Sequence, residues 1–241
     1  MKTFFTNLIL LASLIGYSQE NVHDIQFILG EKLDYKIKYG WFKIGEARIS
    51  VDSKMHPIDQ VAHYRVSFNL KTVGWLKIFA NLDLDFESFI NSRTLQPHHA
   101  KRITISSKKS NSQFDEFDYE ADSIMVRTYH KEKDEYKLSS FLRKGPHFTD
   151  ALGTYFYTRS TKLAIREQTR LYIANRIYHF RMNLEDTNSK KNSSYYKLIF
   201  PPIKQFPREK KSYAILSNNL NIPLEIKLAT NNGNFFFILA D

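Results

Sequence analysis

Three carboxylates set two residues apart, Asp83, Asp85 and Glu87, carry the spacing in this chain that most readily suggests chemistry. On an extended strand that interval stacks all three side chains along one face. Two functions follow from such a stack: a calcium site built of carboxylate oxygens, or a paired acid and base for glycoside hydrolysis. A third reading needs no ligand. Leu82, Leu84 and Phe86 alternate with the acids, as in a half-buried strand whose polar face meets lysine or arginine on its neighbour. Regular alternation accounts for the spacing by itself, and that reading is preferred.

The remaining chemistry is sparse. The chain has eight histidines and no cysteine, which removes thiol catalysis and cysteine-ligated metal. The close pair His98-His99 would point to opposite faces of a regular strand. With Pro97 in front, the pair reads as surface histidine at a turn, and no metal ligand is assigned. There is no His-Glu-x-x-His, EF-hand, phosphate loop or Gly-x-Gly-x-x-Gly element. There is no Gly-x-Ser-x-Gly elbow, and Ser106, Ser107, Ser110 and Ser112 lie in a polar stretch. Accordingly no catalytic residue and no cofactor is assigned.

One apolar run, Val73-Gly74-Trp75-Leu76-Lys77-Ile78-Phe79, breaks alternation. A buried strand, a loop folded over the core, or a lid over an apolar cavity would each produce it. Under the last reading Trp75, Leu76, Ile78 and Phe79 are the candidate ligand-binding residues.

The elements that position these residues are mostly strands. Leu33, Tyr35, Ile37, Tyr39 and Trp41 fall on one face, with Asp34, Lys36 and Lys38 on the other. A turn over Phe42 to Ile44 then leads to a second strand carrying Ala47, Ile49 and Val51. Tyr64 to Leu70 and Leu82 to Glu87 alternate in the same way, and weaker strands follow around Ile103, Phe117 and Ile124 to Tyr129. From Phe148 to Arg159 the period changes: Leu152, Tyr155, Phe156 and Arg159 recur at helical spacing, with Thr149 or Asp150 placed to cap the start. Strands resume at Arg170–Ala174 and Ile177–Leu184, and the polar stretch Asp186 to Ser194 reads as an exposed loop. Asn231-Asn232-Gly233-Asn234 joins the last two strands as a hairpin. The expectation is a mainly β single domain over residues 19–241, a curved antiparallel sheet or partly open barrel of about a dozen strands around one short central helix.

Residues 1–18 supply an address. Lys2 precedes the apolar core Leu8 to Ile15, and Gly16-Tyr17-Ser18 places small residues before a cut ahead of Gln19. That is the layout of a cleaved secretory signal peptide, too short to leave a permanent membrane span. Export gives the net charge of +10 a different meaning. In the periplasm the partners of a basic surface are anionic lipids and glycans rather than nucleic acid. The lysines also lie in separate short groups, as on a solvated surface.

Gly30-Glu31-Lys32-Leu33-Asp34-Tyr35, with Gly40-Trp41 and Ile44-Gly45-Glu46-Ala47 downstream, resembles the DUF3108 family of exported bacterial proteins. Later pieces agree: Glu87-Ser88-Phe89 with Pro97, Asp150-Ala151-Leu152 leading to Tyr155 and Arg159, and Leu216-Ser217 before Ile222-Pro223-Leu224. The resemblance implies a β-rich envelope protein with an open or partly closed barrel, and carries no catalytic residue across. A looser similarity in fold links it to half-barrel lipoprotein carriers, where a curved sheet wraps a helix. The expected function is a non-enzymatic periplasmic binding or carrier protein for a lipid or other amphiphile in envelope maintenance. Two alternatives stand beside it: a glycan-acting envelope enzyme using acids such as Asp83, Asp85 or Asp150, and an interaction module for a partner protein in an outer-membrane assembly.

Overall fold

The computed structural model describes residues 29–74, 82–106, 113–119, 123–130, 134–142, 148–160, 169–173, 176–188, 193–199, 211–218 and 221–240. The segment 1–18, expected to be a signal peptide, and the candidate ligand-binding residues Trp75, Leu76, Ile78 and Phe79 lie outside the described residues.

Alternating sequence becomes one very wide sheet. Its first half is a meander of β1 (Lys32–Tyr39), β2 (Phe42–Val51), β4 (Val61–Thr72), β5 (Leu82–Asn91), β6 (Pro97–Ser106), β7 (Gln113–Tyr119), β8 (Ser123–His130) and β9 (Glu135–Leu142). The short β3 (His56–Ile58) pairs only with β4. The second half begins with β10 (Phe148–Thr149) and the helix α1 (Ala151–Ser160), then β11 (Thr169–Ile173) and β12 (Arg176–Asn188). It finishes with β13 (Ser193–Ile199), β14 (Ser212–Ser217), β15 (Pro223–Thr230) and β16 (Gly233–Leu239). Among the described residues all pairings are antiparallel except β10 with β11. The halves join where β16 pairs with β1, Tyr35 opposite Leu239 and Tyr39 opposite Phe235. Among the described residues the sheet order therefore runs from β10 to β9 with those two strands as edges, and the sheet does not close.

Alternation also decides what lies inside. Val51, Val66, Ser88 and Ala100 form a cross-strand row on β2, β4, β5 and β6, and all four are buried. Val51 and Val66, together with Tyr64 and Ile90, receive Leu152 and Tyr155 from α1. Fully buried aliphatic side chains such as Ile90 and Val66 contribute about 1.5–3 kcal/mol each. The helix touches β4 and β5 and also β10 and β11. Those pairs are far apart in the strand order, so the sheet must curl around α1 to reach it from both sides.

Several boundaries differ from the sequence reading, each for a local reason. The first turn is Gly40-Trp41, not Phe42 to Ile44, and Tyr39 pairs with Phe42. Gly40 has φ of 57°, as a two-residue turn with glycine in its first central place requires. A bulge between Ile37 and Lys38 absorbs Ile44, which shifted the apparent register by one. The stretch from Asp186 is not a loop at its start: β12 runs to Asn188, which pairs with Ser193. A bulge between Leu184 and Asp186 interrupts the period by which a strand is recognised. Among the described residues the sheet holds sixteen strands; β3, β10 and β9, whose sequence mixes polar and apolar residues, have too little alternation to be seen.

Candidate functional site

Asp150 supplies the first fixed point. It caps α1, its Oδ1 accepting the Gly153 N–H at 2.6 Å, and its Oδ2 accepts the Ser88 hydroxyl at 2.8 Å. Of the two expected caps, Thr149 and Asp150, it is Asp150 that accepts the helix N–H, and its carboxylate also faces the positive end of the helix. Only glycine fits three residues on, because a Cβ on Gly153 would stand 2.2 Å from Thr149 Oγ1 and 3.3 Å from Asp150 Oδ1.

The far end of α1 carries the second. Arg159 lies in the last turn, where a cation suits the helix dipole, and its side chain is 1% exposed. Its Nη1 meets Glu31 Oε2, and its Nη2 donates to Glu31 Oε1 at 3.1 Å, a two-pronged guanidinium–carboxylate fork. Nη1 also donates to the Tyr155 hydroxyl at 2.7 Å, and that hydroxyl donates onward to Glu31 Oε2 at 3.3 Å. Burial opposes the Arg159 charge, while Glu31 and Tyr155 more than restore it. Burial pushes the phenols of Tyr155 and Tyr35 far above their ordinary values, so both remain neutral donors. Tyr35 donates to the Pro223 carbonyl at 3.0 Å, and Asn221 Nδ2 donates to the Arg159 carbonyl at 3.4 Å.

Around Arg159 these bonds tie the chain ahead of β1 and the approach to β15 to the C-terminal end of α1, while Asp150 ties its N-terminal end to β5. These groups are engaged with each other, and the Ser88 hydroxyl is bonded to Asp150 rather than to a histidine. What the arrangement does chemically is hold a helix inside a sheet. Glu31, Tyr35, Asp150, Tyr155, Arg159 and Pro223 all belong to the fragments of sequence that carried the family resemblance. No residue pattern announced that fragments so far apart would meet.

The carboxylate stack is on the other side of the sheet. Ser88 and Ile90 face inward, so Asp83, Asp85 and Glu87 face outward from β5 by alternation. Asp85 accepts Asn69 Nδ2 at 2.6 Å, and Glu87 accepts Arg65 Nη2 at 2.5 Å, both partners being on β4. Asp83 lies opposite Lys71, its Oδ1 shielded without a hydrogen bond. Asp150 is on the inner face, so the structure does not bring it together with Asp83 or Asp85.

The histidines are arranged differently from the expectation. His98 is within β6, where a bulge separates the pairs Phe89–His99 and Ile90–Pro97. The bulge turns His98 toward the buried His63, ring centroids 5.2 Å apart, while His99 Nδ1 meets Asp118 Oδ1 at 2.7 Å. His56 Nε2 meets Asp52 Oδ2 at 2.8 Å. Among the described residues no group of three or more His, Asp or Glu is placed to hold a metal ion.

A curved, unclosed antiparallel sheet wrapped on one short helix defines the class: a β-barrel-like protein. The chain belongs to the DUF3108 family, described as a protein of unknown function, whose model matches residues 34–239. Glu31 stands just ahead of that span. A solved structure of similar fold is the β-barrel-like protein of domain of unknown function DUF1849 from Brucella abortus. It is 9% identical, the likeness covering 89% of this chain and 97% of that one at a TM-score of 0.54. No curated protein matches the chain.

Proposed function

We propose that this is an exported, non-enzymatic binding or carrier protein for a lipid or other amphiphile of the cell envelope. The observation that carries the reading is the inner face of the sheet. Beneath α1 that face is fully buried, but it continues apolar beyond the helix. Ile49, Phe68 and Phe86 form one cross-strand row and Ala47, Leu70 and Leu84 the next. Of these only Ala47 is buried; the larger side chains keep part of their surface uncovered among the described residues. A partly covered apolar face on a sheet that does not close suits an elongated apolar guest entering from the open side.

The clamp at Glu31 and Arg159 supports the same reading, since it stabilises a shape and leaves its own groups engaged. No helix among the described residues is long and apolar enough to cross a membrane. The test is native mass spectrometry and solvent extraction of the purified protein. An amphiphile should co-purify, and Leu84→Gln should weaken uptake of a naphthylamine probe without shifting the thermal midpoint much. Repeated preparations that yield no amphiphile and bind no probe would overturn the proposal.

A further inference from the structure

The tip of the first hairpin is exposed out of proportion to any structural need. Trp41 is 96% exposed, Phe42 63% and Tyr39 40%. The turn itself needs only Gly40. Tyr39 leans on Phe235 at a ring separation of 5.2 Å and bonds to the Asn232 carbonyl, so the neighbouring β15–β16 turn is held beside the tip. Gly233 permits that approach, since a Cβ there would lie 2.6 Å from the Tyr39 ring.

Behind the tip, the outer face carries a row of alternating character. Reading across β13, β14, β15, β16, β1 and β2, the cross-strand partners are Lys197, Tyr213, Lys227, Phe236, Lys38 and Lys43. With strands about 4.8 Å apart, the row spans roughly 24 Å. Lys227 Nζ sits 5.5 Å from the Tyr213 ring centroid and 5.9 Å from that of Phe236. The nearby acids are already engaged, Glu46 by Lys43 and Glu225 by the Tyr213 hydroxyl. Lys38 and Lys43 are one residue behind the closing pair Tyr39 and Phe42, which places the basic row about 3 Å behind Phe42 along the strands, with the Gly40-Trp41 turn beyond.

We propose that this rim docks on the surface of an anionic phospholipid bilayer. Trp41 and Phe42 enter the headgroup region, where amphipathic and aromatic side chains are favoured. The lysine row then lies at the depth of the phosphates and supplies the charge preference. The long axis of the row runs across the strands, so several lysines reach one plane together. The net charge of +10 adds a long-range attraction of the same sign. Docking of the rim is independent of whether the inner face holds an amphiphile.

The test is co-sedimentation of the full chain with phosphatidylglycerol–phosphatidylethanolamine vesicles and with phosphatidylcholine vesicles. The chain has two tryptophans, so Trp75→Phe leaves Trp41 as the reporter. Its emission should shift to the blue and be quenched by brominated acyl chains on the anionic vesicles. Lys38→Gln with Lys227→Gln should lower partitioning at least about tenfold, and added salt should weaken it. Trp41→Ala with Phe42→Ser should reduce binding without moving the thermal midpoint, because those side chains are exposed. An unshifted Trp41 emission, equal binding to neutral vesicles, equal binding by the tip variant, or a preference for single-stranded DNA would each overturn the proposal.

Discussion

Replacing Arg159 with methionine tests the clamp most directly. The Arg159 side chain is 1% exposed and that of Glu31 8%, so little solvent is available to screen either charge. Arg159→Met removes the fork and leaves the Glu31 carboxylate with the Tyr155 hydroxyl alone. Removing one partner of a buried ion pair costs about 3–5 kcal/mol. For a chain of this size that is a fall in thermal midpoint of about 6–20 °C. Glu31→Gln keeps the shape and one acceptor, and should cost about 1.5–3 kcal/mol. The double variant strands no charge, so its loss should fall short of the sum by about 1–3 kcal/mol. Urea unfolding followed by circular dichroism reads all four corners of the cycle. An Arg159→Met loss under about 1 kcal/mol, or strictly additive losses, would refute the clamp as a stabilising unit.

Three further outcomes are expected. Gly153→Ala should lose about 1–3 kcal/mol by overpacking against Thr149, although alanine is the better helix former; a stabilised variant would show that the cap can shift. Burial, and secondarily His98, holds the His63 imidazole below its ordinary value, with the Val61 carbonyl opposing. The unfolded chain therefore binds that proton first, so the stability His63 contributes is intact above about pH 6.5. It is lost as pH falls through the depressed folded value. His63→Phe should flatten the acid side of the stability profile in urea titrations, and an unchanged profile would refute the burial of that imidazole as its cause. Asp83→Asn with Asp85→Asn should change stability by under about 1 kcal/mol, and calcium bound by the parent but not by this variant, read by native mass spectrometry, would revive the metal reading.

Strands with unbroken alternation were legible at once, as at Tyr64 to Leu70. The helix was equally plain, because a change of period and candidate caps coincide there, although spacing alone did not choose between Thr149 and Asp150. Bulges hid the rest. Those at Ile37, Leu184 and Phe89 each shift the side-chain phase by one, moving the first turn, truncating β12 in the reading and misplacing His98. The clamp was invisible for another reason: the ion pair between Glu31 and Arg159 spans 128 positions, and pairing at that range leaves no local spacing. The outward acids drew attention because their interval is regular, yet regularity is what an ordinary strand face produces.

The pairing of β16 with β1 sets the order in which this sheet can be assembled. Strands near the two ends of the described chain meet in the middle of the sheet, while the open seam falls between β9 and β10, which are close in sequence. Tyr35 and Pro223, joined by a hydrogen bond at that central seam, are 188 positions apart. Closing so long a loop carries an entropic cost before any contact offsets it. Each half can zip along its own meander, but the centre waits until residues 233–239 have emerged. A chain built this way stays incomplete until those residues are available, and a circular permutant opened between β9 and β10 should reach its central pairing sooner.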